Sequence, residues 1–121
     1  MPVFVFGSNM AGRHGKGAAL FAKEKCGAIY GRGVGRQGNS YAIPTKDANI
    51  KTLPLGVIAV YVQEFIEYAR LHGGTDFQVT AIGCGLAGYK PEQIAPMFKG
   101  VGPNVHLPPE FASILTTEGP T

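Results

Sequence analysis

Short apolar runs alternate with glycine-rich or polar stretches along this chain, and this pattern predicts its elements. Residues 3–6 are continuously apolar, as in a strand buried on both faces of a parallel sheet. A glycine-rich stretch follows, and residues 18–26 then have helix-forming composition, with Leu20 and Phe21 on one side and Gly27 as a stop. The first unit is therefore a strand, a loop and a helix.

The rest of the chain repeats this alternation. The clearest helix covers residues 53–72, where apolar residues recur at three and four positions before Gly73. Further strands are predicted at 40–43 (stopped by Pro44), 77–82 and 104–107, and a further helix at 92–98. Strands that alternate with helices predict an α/β fold of three α/β/α layers around a mainly parallel sheet.

The predicted topology brings three loops to one edge of the sheet. Ligands of such sheets lie beyond the carboxyl ends of the strands, where residues 7–17, 45–52 and 83–90 would meet. Two of these loops hold clusters of the chain's 18 glycines. Residues 28–38 are interpreted as a flexible basic loop with a short extended piece at 29–30.

Composition narrows the class of protein. A chain of 121 residues with 45% hydrophobic content is expected to form one domain, residues 1–121, with a frayed tail from about 116. It has neither an apolar run of about 18 residues nor a signal peptide, so we expect a cytoplasmic protein without a membrane partner. Cys26 and Cys84 are too few for a disulfide framework, and no spacing suggests a metal or a cofactor.

The second glycine loop, residues 83–88, has the features of an anion-binding turn. Glycines let backbone N–H groups approach a phosphate, and a helix start adds unpaired donors. The loop also matches G-x-G-x-x-G, but Pro91 starts the helix later than a dinucleotide fold requires, and the chain is too short for two mononucleotide halves. A phosphate cradle is the better interpretation.

Several side chains in or near these loops have two interpretations. Cys84 is either a nucleophile or a small packed side chain. Tyr89 either stacks on a ligand or belongs to the core. Lys46 and Asp47 are the adjacent base and acid at the predicted mouth, with a solvated loop pair as the alternative.

Segments at both glycine loops resemble the macro domain family. Val5-Phe6-Gly7-Ser8-Asn9 is similar to the family strand that ends in asparagine, Gly15-Lys16-Gly17-Ala18-Ala19 to its first glycine loop, and Ile82-Gly83-Cys84-Gly85-Leu86 to its second. The most similar branch is the terminal ADP-ribose glycohydrolase type. The likeness spans about residues 3–98.

This resemblance implies an ADP-ribose-type ligand gripped by the two loops, with Asn9 near the distal ribose. The candidate catalytic residues are Asn9 and, at the predicted mouth, Asp47 and Lys46. Hydrolases of that branch carry an aspartate where this chain has Ala87, and their lysine has no match around Gln37. The expected ligand-contacting residues are Gly7, Ser8, Asn9, Gly15, Lys16, Gly17, Gly83, Cys84, Gly85, Leu86, Gly88 and Tyr89.

The sequence thus predicts a protein that binds ADP-ribose or a related phosphorylated nucleoside metabolite, with or without hydrolysis at the distal ribose. A non-enzymatic protein that sequesters a nucleotide signal is the alternative. A basic nucleic-acid-binding module ranks third, because the net charge is only +3 and few aromatic residues accompany the basic ones.

Overall fold

The computed structural model describes residues 2–117 of the chain. Its strands and helices alternate through most of the sequence, as the hydrophobic pattern predicts. They are β1 (Val3–Asn9), α1 (Gly17–Lys25), β2 (Gly35–Gln37), β3 (Ser40–Lys46), α2 (Leu55–Leu71), β4 (Phe77–Val79), α3 (Pro91–Ile94), a 3₁₀ turn (Ala95–Phe98), β5 (Val105–His106) and α4 (Pro109–Thr117).

The five strands form one sheet in the order β2-β3-β1-β4-β5. β1 lies at its centre, parallel to β3 and to β4, and β5 is parallel to β4. Only β2 is antiparallel, against β3. The expected mixed α/β fold with a mainly parallel sheet is confirmed.

Alternating residues of β1 separate the two faces of the sheet. Val3 and Val5 belong to the larger apolar cluster, which includes buried residues of α2, β4 and α4. Phe4 and Phe6 belong to a smaller cluster with residues of α1. Helices therefore cover both faces of the sheet. The face of the larger cluster carries α2 and α4, and the face of the smaller cluster carries α1.

The long helix α2 supplies much of the larger cluster. Its residues Ile58, Val62, Phe65 and Ala69 recur at three and four positions and are at most 1% exposed. This stripe packs on the sheet, as its periodicity predicts. No helix within residues 2–117 is long and apolar enough to cross a membrane.

Two elements were not predicted from the sequence. β2 is three residues long and carries no apolar pattern. α4 begins with Pro109 and buries Phe111. It also extends through Thr117, so residues 116–117 of the expected frayed tail belong to its last turn, while residues 118–121 lie outside the described part of the chain.

Two strand boundaries also differ from the prediction. β3 does not stop at Pro44 but continues to Lys46, and the register with β1 shifts just beyond Pro44, between Ser8 and Asn9. A register shift accommodates a residue that has no N–H to donate to the ladder. β4 ends at Val79, three residues earlier than predicted.

The segment 28–38 is held in place by one buried side chain. The Gln37 amide accepts a hydrogen bond from the Ile29 N–H (2.8 Å) and donates one to the Arg32 carbonyl (2.7 Å), and Gln37 is only 2% exposed. The segment is therefore internally hydrogen-bonded. The predicted extended piece at 29–30 is wrong, because the strand lies at Gly35–Gln37.

Candidate functional site

A cavity of about 620 Å³ lies at the carboxyl ends of the three central strands. Gly7, Ser8 and Asn9 reach it from β1, Thr45 and Lys46 from β3. Thr80, Ala81 and Ile82 follow β4 and complete the floor. The three loops expected at one edge of the sheet therefore do meet around one cavity.

The first loop is shaped by the side chain of Asn9. Its Oδ1 accepts a hydrogen bond from the Arg13 N–H (2.9 Å), and its Nδ2 donates one to the Arg13 carbonyl (3.0 Å). Asn9 is 9% exposed. The Asn9 amide thus fixes the turn that brings Arg13, Gly15 and Lys16 to the cavity wall.

The start of α1 presents backbone donors to the same cavity. Lys16, Gly17, Ala18 and Ala19 line it, and the hydrogen bond from the Leu20 N–H to the Lys16 carbonyl opens the helical ladder. No side chain caps this end, and the first turn holds no acidic residue. The first N–H groups of a helix lack intrahelical acceptors and carry its positive dipole end. This wall favours an anion.

The second loop forms the opposite wall, lined by Gly83, Gly85, Leu86 and Ala87. Its chain reverses because the Gly88 N–H donates to the Gly85 carbonyl (3.0 Å) and the Tyr89 N–H to the Gly83 carbonyl (2.9 Å). At Gly85, an added Cβ would meet no atom within 4 Å. Its surface is therefore open for a ligand.

Three predicted contact residues of the second loop do not line the cavity. Gly88 is part of the turn, and the Tyr89 hydroxyl donates to the Leu53 carbonyl (2.7 Å). Cys84 packs against the larger core cluster. Burial, with contributions from Glu110 and Glu92, raises the pKa of the Cys84 thiol, which disfavours the thiolate that a nucleophile needs.

The pair Lys46 and Asp47 is split by the structure. Lys46 lines the cavity, whereas Asp47 does not. The Asp47 Oδ1 accepts hydrogen bonds from the N–H groups of Asn49 (2.8 Å) and Lys51 (3.0 Å). Asp47 therefore stabilises its own loop instead of facing a ligand, which is the usual work of an Asp in a turn.

The charge of the cavity wall is entirely positive. Among the described residues, its ionisable side chains are Arg13, Lys16 and Lys46, and no carboxylate, imidazole or thiol lines it. The hydroxyl groups of Thr45 and Thr80 donate to the carbonyls of Ser8 and Val5. Cations beside backbone donors form a site for phosphate.

His14, in the first loop, is fully buried and lies outside the cavity lining. Its Nε2 donates to the Arg32 carbonyl (3.0 Å), and its ring meets Phe6 edge-on. Its Nδ1 has no partner among the described residues. This histidine joins the first loop to the segment 28–38 beneath it.

Sequence reasoning omitted several residues of the cavity. Thr45, Thr80 and Ala81 were not singled out, although each lies at or just after the carboxyl end of a strand. This position at the end of a strand is the sequence signal that could have identified them. Ile50 belongs to the predicted loop 45–52, and nothing in the local pattern indicates that it reaches the cavity.

No protein-family model, curated protein sequence or solved structure matches this chain. The geometry of the cavity is therefore the basis for any functional assignment. Within residues 2–117, no group of three or more His, Cys, Asp or Glu side chains is placed to hold a metal ion.

Proposed function

We propose that this protein binds ADP-ribose or a related phosphorylated nucleoside metabolite in the cavity between its two glycine-rich loops. The observation that supports this most strongly is the wall itself, which combines an uncapped helix start, the open surface of Gly85 and cations without any carboxylate. A cavity of about 620 Å³ is within the size range of small-molecule sites.

The diphosphate is assigned to the space between the loops. Residues 17–19 and Gly85 line the cavity, and in this proposal the N–H groups of residues 17–19 bind one side of the diphosphate while the surface of Gly85 receives the other. Arg13 and Lys16 flank the first loop, and their charge adds long-range attraction for an anion. Backbone donors dominate this grip because they are fixed before the ligand arrives.

Binding without hydrolysis is the form of this proposal that the cavity favours. General acid–base catalysis needs a titratable group within hydrogen-bond reach of the bond that breaks. Ala87 occupies the wall where the resembling hydrolases carry an aspartate, and Asp47 lies outside the lining. Asn9 contributes an amide that is already bonded to the Arg13 backbone. Sequestering a nucleotide signal is thus preferred to cleaving it.

We also propose that the chain is a short, divergent relative of the macro domain family, on the basis of the two loop motifs and the mainly parallel sheet. A nucleic-acid module receives less support. Arg36 lies on β2 and is bonded to the Gly38 carbonyl and the Tyr68 hydroxyl, away from the cations of the cavity. Arg36 therefore does not belong to the group of cations that lines the cavity.

Isothermal titration calorimetry with ADP-ribose tests this proposal. Gly85→Val places a branched side chain in the open space of the second loop, and we expect it to abolish binding while leaving the melting temperature within about 2 °C. Gly74→Val is the matched control, because Gly74 is also unobstructed but lies outside the cavity. The absence of heat with the unsubstituted protein would contradict the ADP-ribose proposal.

A second measurement separates sequestering from hydrolysis. After incubation with ADP-ribose or an ADP-ribosylated protein, the mixture is denatured and the products are quantified. Intact starting material is expected. Release of ADP-ribose or ribose-containing fragments, lost in Asn9→Ala, would instead show that the site is catalytic.

A further inference from the structure

Ile50 has an unusual backbone for its residue type. Its φ is +62°, and it is the one non-glycine residue with positive φ in the described part of the chain. Left-handed backbone brings Cβ close to the following carbonyl, and branching at Cβ worsens that contact. Asparagine or glycine would adopt this conformation at lower cost. Isoleucine is therefore a poor choice for this turn on local grounds.

The surrounding loop holds Ile50 in that conformation. The Asp47 N–H donates to the Lys51 carbonyl (2.7 Å), and the Ile50 N–H donates to the Asp47 carbonyl (3.1 Å). The Asp47 carboxylate also accepts hydrogen bonds from the N–H groups of Asn49 and Lys51 within the turn. A bridge between Lys46 and Thr52 joins the two ends of the loop. Ile50 therefore sits at the tip of a closed turn.

The same loop is attached to the second glycine loop. The Thr52 hydroxyl donates to the Ala87 carbonyl (2.9 Å). Ile50 and Leu86 therefore belong to segments that touch, and both side chains line the cavity. They are 38% and 71% exposed. The cavity lining thus includes an apolar part at Ile50 and Leu86. Its cations are Arg13 and Lys16 in the first loop and Lys46 at the end of β3.

We infer that Ile50, with Leu86, is a specificity-determining residue that receives the uncharged nucleoside part of the ligand. This inference rests on the proposed binding of a phosphorylated nucleoside. Strained backbone concentrates at functional sites, and the strain here places an apolar side chain in a cavity otherwise suited to phosphate. The apolar contact distinguishes a nucleoside diphosphate compound from bare pyrophosphate, which has nothing to cover these side chains.

The test compares ADP-ribose with inorganic pyrophosphate on the same variants. Ile50→Asn removes the apolar surface and introduces asparagine, which tolerates a left-handed backbone. We expect affinity for ADP-ribose to fall about tenfold, while affinity for pyrophosphate, measured by competition, changes less than about twofold. Leu86→Ser should likewise lower the affinity for ADP-ribose more than the affinity for pyrophosphate. Leu71→Ser, an equally exposed leucine (66%) outside the cavity, is the control.

Thermal unfolding separates a role in binding from a role in folding. Relief of the left-handed strain offsets the lost packing of a half-exposed side chain, so the melting temperature of Ile50→Asn should stay at or above that of the unsubstituted protein. Equal loss of affinity for both ligands, or no loss for ADP-ribose in either variant, would overturn the specificity role alone. Failure of the unsubstituted protein to bind either ligand would overturn the proposed function and this inference with it.

Discussion

The two glycine-rich loops line one cavity, but Gly12 in the first loop and Gly85 in the second have different physical roles. In the first loop, a Cβ on Gly12 would lie 2.2 Å from the Arg32 nitrogen, and one on Gly33, beneath that loop, would lie 2.0 Å from the Asn9 oxygen. In the second loop, a Cβ on Gly85 would meet nothing within 4 Å. The first set permits close backbone packing, whereas Gly85 leaves space that the fold does not use.

This difference teaches how to separate folding residues from binding residues in a glycine-rich site. The first loop is braced by the segment 28–38 through two hydrogen bonds, from the Gly31 N–H to the Gly12 carbonyl (2.8 Å) and from the His14 Nε2–H to the Arg32 carbonyl, which Gln37 also binds. The second loop is closed by its own backbone hydrogen bonds and is joined to its surroundings by the Thr52 hydroxyl and the Tyr89 hydroxyl. Changes at Gly12 or Gly33 should therefore act on stability, whereas changes at Gly85 should act on the ligand.

The strongest test of this comparison is Gly33→Ala. Its new Cβ would collide with the Asn9 carbonyl, which belongs to the central strand and cannot move away cheaply. We expect urea unfolding to show a loss of more than about 3 kcal/mol. Gly85→Ala is the counterpart and should change the free energy of unfolding by less than about 0.5 kcal/mol. Similar losses in both variants would remove the distinction between the loops.

A smaller effect is expected for Asn9→Ala. The substitution removes both hydrogen bonds to the Arg13 backbone, so the turn of the first loop is no longer fixed. We expect the free energy of unfolding to fall by about 1–2 kcal/mol. Affinity for ADP-ribose should fall as well, because Arg13 and Lys16 are no longer positioned. Asn49→Ala, at an exposed position outside the lining, is the control. Full stability in Asn9→Ala would show that the loop does not depend on this amide.

The smallest effect is expected for Cys84→Ala. The thiol packs against the core, and burial, with smaller contributions from Glu110 and Glu92, raises its pKa. Affinity for ADP-ribose should therefore change by less than about twofold, and native Cys84 should react with iodoacetamide more slowly than in urea. Protection of Cys84 by ADP-ribose, or strong loss of binding in Cys84→Ala, would place the thiol in the site after all.

The sequence predicted the order of the main elements because their signals are local. The apolar run of β1 and the three-and-four spacing of α2 are each contained in a single segment. β2 could not be found this way, since Gly35, Arg36 and Gln37 become a strand only by pairing with β3. α4 did leave a signal in the spacing of Phe111, Ile114 and Leu115 after Pro109.

For the site, the topology predicted the meeting of the loops but not the direction of their side chains. Glycine positions such as Gly7, Gly17 and Gly85 were found because backbone is what lines the cavity there. Cys84 and Asp47 were misplaced because neighbours in a turn point to opposite sides. Ile50 was missed because its orientation depends on a left-handed φ, and an isoleucine in a sequence does not indicate that conformation.

The central claim is that backbone groups of both loops grip a phosphorylated nucleoside, and an amide NMR titration with ADP-ribose tests it most directly. The account predicts large shifts for the N–H signals of Gly17, Ala18, Gly85 and Leu86, with the signals of buried α2 residues unchanged. Shifts confined to one loop, or centred on residues outside the cavity, would contradict it.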